Sequence, residues 1–179
     1  MAPPLRKFAL TMHVVCSVGW LGAVVVFLGL SIVGMTSENP ATVRAAYLAM
    51  ESIGFFLLVP FSIASLLTGL VQSLGTNWGL VRHYWVIAKL LINVGASLIL
   101  LLYTQTLGSL ADMASAGADV EMLRSPSPVL HAVAGLLLLL AAAALSVYKP
   151  RGVTRYGWRR QQEQRKAARA TDPEPVRAD

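Results

Sequence analysis

Four long apolar stretches alternate with short polar segments along the chain. Each is about 20 or more residues long, which is the length an α-helix needs to cross roughly 30 Å of hydrocarbon. A spanning helix also satisfies its own backbone hydrogen bonds, which lipid cannot do. The pattern therefore predicts an all-α, polytopic membrane protein, a four-transmembrane-helix bundle. The predicted spans cover residues 8–32, 47–74, 84–107 and 129–148.

Prolines indicate how the second helix begins and whether it is interrupted. Pro40 follows Ser37 and Asn39, and a polar cap before proline is typical of a helix start. Pro60 lies well inside the same apolar stretch. Because membrane helices tolerate proline, Pro60 predicts a kink rather than an end.

Small and polar residues fall on one face of each predicted helix, at about 100° per residue. The opposite faces are mostly Leu, Val and Ile, which suit lipid. These stripes predict a compact bundle with a polar seam, although serine and glycine also serve simple packing between helices. The members are His13, Ser17, Trp20, Val24 and Ser31 in the first helix, Glu51, Gly54, Ser62, Ser65, Gly69 and Gln72 in the second, Lys89, Asn93, Ser97 and Thr104 in the third, and His131, Gly135, Ala142 and Ser146 in the fourth.

Four ionisable residues stand out within the spans, because an unpaired charge in hydrocarbon is costly. His13 and Lys89 lie near the end of the bundle that carries the termini, and Glu51 and His131 lie near the other end. The two histidines are then separated by roughly 15–20 Å along the membrane normal, too far to ligate one iron. Lys89 either snorkels to the headgroups or joins His13 and Asn93 in one polar centre between neighbouring helices.

Charge is distributed unevenly along the chain. Only 13% of residues are charged and 55% are hydrophobic, yet the formal net charge is +6. Nine of the fifteen Lys and Arg lie from Lys149 onward, and the N-terminal arm is also basic. The positive-inside rule therefore predicts N-in/C-in topology. Residues 1–150 form the predicted transmembrane domain, and 151–179 a basic, partly disordered cytoplasmic tail whose partners are anionic lipid headgroups and not nucleic acid.

Motifs of common catalytic machinery are absent from the sequence. It contains no P-loop, no His-Glu-x-x-His and no Gly-x-Ser-x-Gly. A single cysteine, Cys16, excludes an intrachain disulfide. Nucleotide hydrolysis by this chain alone is therefore not expected, and the sequence leaves open whether it is an enzyme.

Two short motifs resemble known membrane families. His13, followed after six residues by Trp20 and then by Gly22, is similar to the first-helix pattern of the HemJ-type protoporphyrinogen oxidases and of the copper-resistance protein D family. Segment 85–90, which reads Trp-Val-Ile-Ala-Lys-Leu, resembles the third-helix pattern of the HemJ-type proteins. The resemblance implies a four-helix membrane bundle, which agrees with the architecture predicted from the apolar pattern.

This resemblance implies a bundle that binds b-type haem near the cytoplasmic side, with His13 as the candidate iron ligand and Lys89 as a basic residue beside the cofactor. Segment 131–135 departs from it, because it reads His-Ala-Val-Ala-Gly where HemJ-type proteins carry an Arg…Asn-Glu-x-Pro pattern. The whole chain, and especially segments 44–51 and 82–85, looks most like a family of small bacterial membrane proteins of unknown function.

Two classes of function follow. The first is an integral protein of the bacterial inner membrane with no assigned activity, acting as a subunit or partner of a membrane complex or as a homo-oligomer. The second is a b-type haem-binding redox protein. A filled interior would favour the first class, and a porphyrin-sized cavity beside His13 would favour the second.

Overall fold

The computed structural model describes residues 3–75, 80–150 and 152–171, with side chains described as far as residue 167. Every regular element in these ranges is a helix. Four stretches are long and apolar enough to cross a membrane, which confirms the all-α fold and the four predicted apolar helices. The elements are α1 (Pro3–Thr36), α2 (Pro40–Gly75), α3 (Tyr84–Ser115), α4 (Val120–Leu123), α5 (Ser127–Tyr148) and α6 (Arg155–Thr171).

The long helices extend past the apolar stretches that predicted them, because an apolar stretch marks only the part that crosses hydrocarbon.

The start of α2 agrees with the cap that Asn39 and Pro40 predict. The Asn39 Oδ1 accepts a hydrogen bond from the Ala41 N–H at 2.9 Å, and Pro40 occupies the first turn. At the other end of the bundle, α5 stops before Lys149, whose φ of 42° is left-handed. Such a residue commonly ends a helix.

The α2 helix passes Pro60 without ending. The turn before it, Gly54–Leu58, is π-helical, and the Val59 N–H donates to the Gly54 carbonyl. Proline has no N–H and its ring clashes with the preceding turn, and a π turn is one way in which a helix absorbs this defect. At Gly54 the backbone approaches α3, because an added Cβ would lie 3.0 Å from the Leu107 Cδ1.

The four long helices form a square. α1 packs against α2 and α5, and α3 packs against the same two helices, so α1 and α3 lie on a diagonal. We call the half that carries the α1–α2 and α3–α5 connections the loop half. The half that carries the N-terminus, the α2–α3 connection and α6 is the terminal half. The large buried apolar side chains lie toward the loop half and include Trp20, Phe27, Tyr47, Met50 and Leu107.

Two arginines close the loop half. The Arg44 Nη2 donates to the carbonyl oxygens of Gly117 and Ala118, at 3.1 Å each. The Arg124 Nη2 donates to the Ser37 carbonyl at 2.9 Å. These carbonyls follow the ends of α3 and α1, where backbone acceptors lack a partner within the helix. Both arginines are therefore tied to the protein's own backbone.

The segment after α5 is tied to the α2–α3 connection in the terminal half. The Thr154 N–H donates to the Arg82 carbonyl at 2.9 Å, and its hydroxyl donates to the Val81 carbonyl at 2.6 Å. Gly157, in the first turn of α6, is so close that an added Cβ would lie 2.5 Å from the Arg82 carbonyl oxygen. These contacts dock α6 on the bundle. Residues 172–179, the predicted disordered end of the tail, lie outside the described residues.

Candidate functional site

His13 is buried between α1 and α2 in the terminal half. Its Nδ1 lies 3.1 Å from the Ser65 carbonyl oxygen and 3.1 Å from the Thr68 Oγ1. A carbonyl oxygen only accepts hydrogen bonds, so the Nδ1 carries the proton and the Nε2 of the neutral ring carries the lone pair. The ring also packs on the α2 backbone, since a Cβ added to Gly69 would lie 3.1 Å from the His13 Cε1.

Hydroxyl groups extend this contact between α1 and α2. The Thr68 hydroxyl donates to the Ala64 carbonyl at 2.6 Å, which leaves its lone pairs to accept from His13. One turn deeper, the Ser17 and Ser65 hydroxyl oxygens are 2.8 Å apart. The stripes predicted on the first two helices therefore face each other here. Their polar atoms link helices, as interhelical hydrogen bonds do in membrane bundles.

Lys89 is half-buried on α3, and its ammonium makes no hydrogen bond or ion pair with the described residues. It lies close enough to His13 for the two side chains to interact electrostatically. Asn93 is buried, and its Nδ2 donates back to the Lys89 carbonyl at 2.8 Å. The expectation that α1 and α3 are neighbours is wrong, because they lie on a diagonal and α2 supplies the partners of His13. The three residues share the terminal half without forming one hydrogen-bonded centre.

Glu51 is half-buried on α2 in the loop half. Its Oε1 lies beside Gly108 of α3, 3.9 Å from the position of an added Cβ. Within the part of the chain that the structure describes, the carboxylate has no hydrogen bond or ion pair. Gly108 and Lys89 are 19 residues apart on α3, or about 28 Å at 1.5 Å per residue. Glu51 and Lys89 therefore cannot neutralise each other.

His131 is exposed at the surface of the loop half, on α5. Its ring stacks on Tyr103 of α3, with the centroids 3.8 Å apart and the planes at 16°. Its Nδ1 lies 2.9 Å from the Ser127 carbonyl oxygen, so the proton again sits on Nδ1. The Tyr103 hydroxyl and the Ser127 Oγ are 3.2 Å apart. The two histidines thus belong to separate clusters in opposite halves.

An apolar cavity of ≈ 100 Å³ lies beside His131, among α1, α2, α3 and α5. Its walls include the aromatic rings of Trp20, Phe27 and Tyr103, and Gly135 lies next to it on α5. No pattern in the sequence predicts this cavity, because it is formed by side chains of four helices. The only local signal is the small side chains around Gly135, which leave space where the neighbouring helices carry larger residues.

The surroundings of His13 do not fit haem. The ring is held between α1 and α2, and the cavity that contains Trp20 is lined by residues other than His13. That cavity is about 100 Å³, too small for a porphyrin, since sites for drug-sized molecules already measure roughly 300–1,000 Å³. In the described ranges, no three His, Cys, Asp or Glu side chains are grouped to hold a metal ion.

Comparison with known proteins gives no match to this chain among family models, curated proteins or solved structures. The resemblance of two short motifs to haem-binding families therefore stays a prediction from the sequence. Two features bear on function: Lys89 in the terminal half, which has no counter-charge among the described residues, and the His131 cavity in the loop half.

Proposed function

We propose that this chain is a multi-pass protein of the bacterial inner membrane that works as a subunit of a larger complex, with a different membrane protein as its partner. The observation that supports it best is Lys89, half-buried in an apolar helix and without a counter-charge among the described residues. Ionisable residues within membrane spans usually pair or face water, because an unpaired charge in hydrocarbon is costly. An acidic residue of a second chain at the same depth would provide the pair.

The spans of a second copy do not supply this counter-charge, and Glu163 of its α6 pairs with Arg160 at 3.8 Å. Copies inserted in the same orientation place their Lys89 side chains at one depth, so a symmetric pair would bring like charges together. Glu51 of a neighbouring copy would lie at a level about 28 Å away. A homo-oligomer formed through the exposed backbone of Gly22 and Gly29 on α1 would leave Lys89 unpaired as well. The partner is therefore a different protein with an acidic residue near the cytoplasmic end of its span.

The charge distribution supports N-in/C-in insertion. In the loop half, Arg44 and Arg124 are tied to backbone carbonyls. In the terminal half, α6 presents exposed basic side chains together with exposed Tyr156 and Trp158. Aromatic residues favour the membrane interface, and basic residues favour anionic headgroups on the cytoplasmic side. We infer that α6 lies on that surface. Its exposed basic residues are Arg155, Arg159, Arg160, Arg165 and Lys166.

Reporter fusions test the orientation. A reporter enzyme that works only outside the cytoplasm should be active when joined at Gly117 and inactive when joined at Gln164. We expect this result because the positive-inside rule places α6 in the cytoplasm. The reverse pattern would remove the depth argument for the partner of Lys89.

Native mass measurement tests the partnership. Protein purified from its own membranes in mild detergent should be heavier than a single chain. The excess mass should not be a multiple of the mass of this chain, which means that a different protein is bound. Lys89→Met should lose the extra mass, because the pairing charge is gone. Lys7→Met, an exposed lysine on α1, should keep it. If the wild type contains only copies of this chain, or if Lys89→Met keeps its partner, then Lys89 meets lipid headgroups and the proposal fails.

A further inference from the structure

We propose that the cavity beside His131 binds the phenolic end of a membrane-soluble molecule, with the His131 Nε2 accepting a hydrogen bond from its hydroxyl. The site lies in the loop half, remote from Lys89. It requires that the bundle is inserted in lipid, but it does not require the proposed partner protein. Failure of one proposal therefore leaves the other standing.

The His131 ring is fixed with one nitrogen unused. Its Nδ1–H donates to the Ser127 carbonyl at 2.9 Å, and its face stacks on Tyr103 at 3.8 Å between centroids. The Nε2 of this tautomer is an acceptor, and no described residue donates to it. The stack and the hydrogen bond fix the ring plane and hence the direction of the Nε2 lone pair. A ligand hydroxyl can therefore donate to an Nε2 whose direction is already fixed.

The cavity walls fit an aromatic ring better than a branched or charged group. Trp20, Phe27 and Tyr103 line the cavity, and the remaining walls are almost wholly aliphatic. Aromatic rings attract one another in stacked or edge-to-face arrangements beyond the effect of area alone. An enclosed apolar cavity of about 150 Å³ holds benzene. The ≈ 100 Å³ here suits a single ring only if part of the molecule remains outside.

The cavity is accessible from the bundle surface between α3 and α5. Ile99 of α3 and Ala134 of α5 line it and are also exposed. A molecule arriving through the lipid can therefore place its ring inside and keep an apolar tail in the bilayer. His131 lies about one turn inside α5, near the loop end, where a hydroxyl group is close to the headgroups. Hydroquinones and alkylphenols have this combination of ring, hydroxyl and tail.

Binding is measured with para-propylphenol and propylbenzene, added to the full chain in lipid nanodiscs and to empty nanodiscs. We expect excess uptake of the phenol over empty nanodiscs at a ratio near one molecule per chain. The nitrogen NMR signal of the His131 Nε2 should shift on addition of the phenol but not of propylbenzene. No excess uptake of the phenol would overturn the proposal, as would excess uptake without a change at the Nε2.

Two substitutions separate the hydroxyl contact from the cavity. His131→Phe keeps an aromatic ring against Tyr103 but removes the acceptor, and should weaken phenol binding about tenfold. Propylbenzene, bound through apolar contact alone, should bind equally to both forms, which also shows that the variant is folded. If His131→Phe leaves phenol binding unchanged, the cavity binds apolar molecules without regard to the hydroxyl. The proposed recognition of the hydroxyl by the His131 Nε2 is then wrong.

Gly135→Ile closes the cavity from within. An added Cβ at Gly135 meets no atom within 4 Å, so the larger side chain extends into the cavity without a clash at the backbone. It should abolish excess uptake of both compounds. Gly22→Ile is the matched control, because that glycine also has nothing within 4 Å and does not line the cavity. Unchanged phenol uptake by Gly135→Ile, with a shifted Nε2 signal, would place the molecule outside the cavity.

Discussion

The loop half and the terminal half of the bundle hold their helices together by different means. In the loop half, large apolar side chains such as Tyr47, Met50 and Leu107 are almost completely buried. In the terminal half, α1 and α2 are joined by hydrogen bonds from His13 and Ser17 to Ser65 and Thr68. Because lipid is as apolar as leucine, these buried side chains stabilise the loop half through complementary shape and close packing, and not through removal of apolar surface from water. In the terminal half, hydrogen bonds are directional, so they also determine which helix packs beside α1.

Truncating a loop-half core residue should have the largest effect on stability. Leu107 is 2% exposed and packs against Gly54 of α2, so Leu107→Ala leaves a cavity. We expect a loss of about 2–4 kcal/mol in the free energy of unfolding, measured in mixed micelles by denaturation. Leu102→Ala on the same helix is the matched control, because Leu102 is 70% exposed and should lose under about 0.5 kcal/mol. Equal losses would mean that packing does not distinguish the two sites.

The contact between α6 and the bundle should be the next most sensitive. Gly157→Ala puts a methyl group 2.5 Å from the Arg82 carbonyl oxygen, and a backbone atom cannot move aside cheaply. Docking of α6 should weaken by about 1–3 kcal/mol, with faster amide exchange in 155–167 and little change in the spans. Gly152→Ala is the control, because its added Cβ would lie at an ordinary 3.6 Å from Tyr84. Slow exchange in Gly157→Ala would contradict the docking geometry.

The number of long helices follows from the sequence, and so do some of their ends. Long apolar stretches leave few alternatives to spanning helices, and Asn39 with Pro40 forms the predicted cap of α2. The wheel also identified His13 and Ser65 as seam residues, and the structure joins them. These inferences need only the periodicity of one helix and the chemistry of its turns.

What the sequence could not provide is which helix stands beside which. Faces on a helical wheel do not show whether α1 meets α2 or α3. The sequence therefore left two alternatives for Lys89, a polar centre with His13 or snorkelling to the headgroups, and it did not predict Ser65 and Thr68 as the hydrogen-bond partners of His13. The cavity beside His131 was missed for a related reason. It depends on how far apart four helices stand around Gly135, which no local pattern encodes.

The smallest effect in this comparison should come from His13 itself. His13→Ala removes the bond to the Ser65 carbonyl and the contact with Gly69, and interhelical hydrogen bonds in membranes average about 0.6 kcal/mol and reach about 2 kcal/mol. We therefore expect a loss within that range, below the loss for Leu107→Ala under the same conditions. Leu10→Ala, an exposed position on the same helix, provides the baseline. An absorption spectrum gives an independent readout: wild type prepared with haem supplied should show no Soret band, because the His13 ring is held between α1 and α2 with its Cε1 against Gly69. A Soret band that disappears in His13→Ala would make His13 an iron ligand, and the terminal half would then be a cofactor site and not a link between helices.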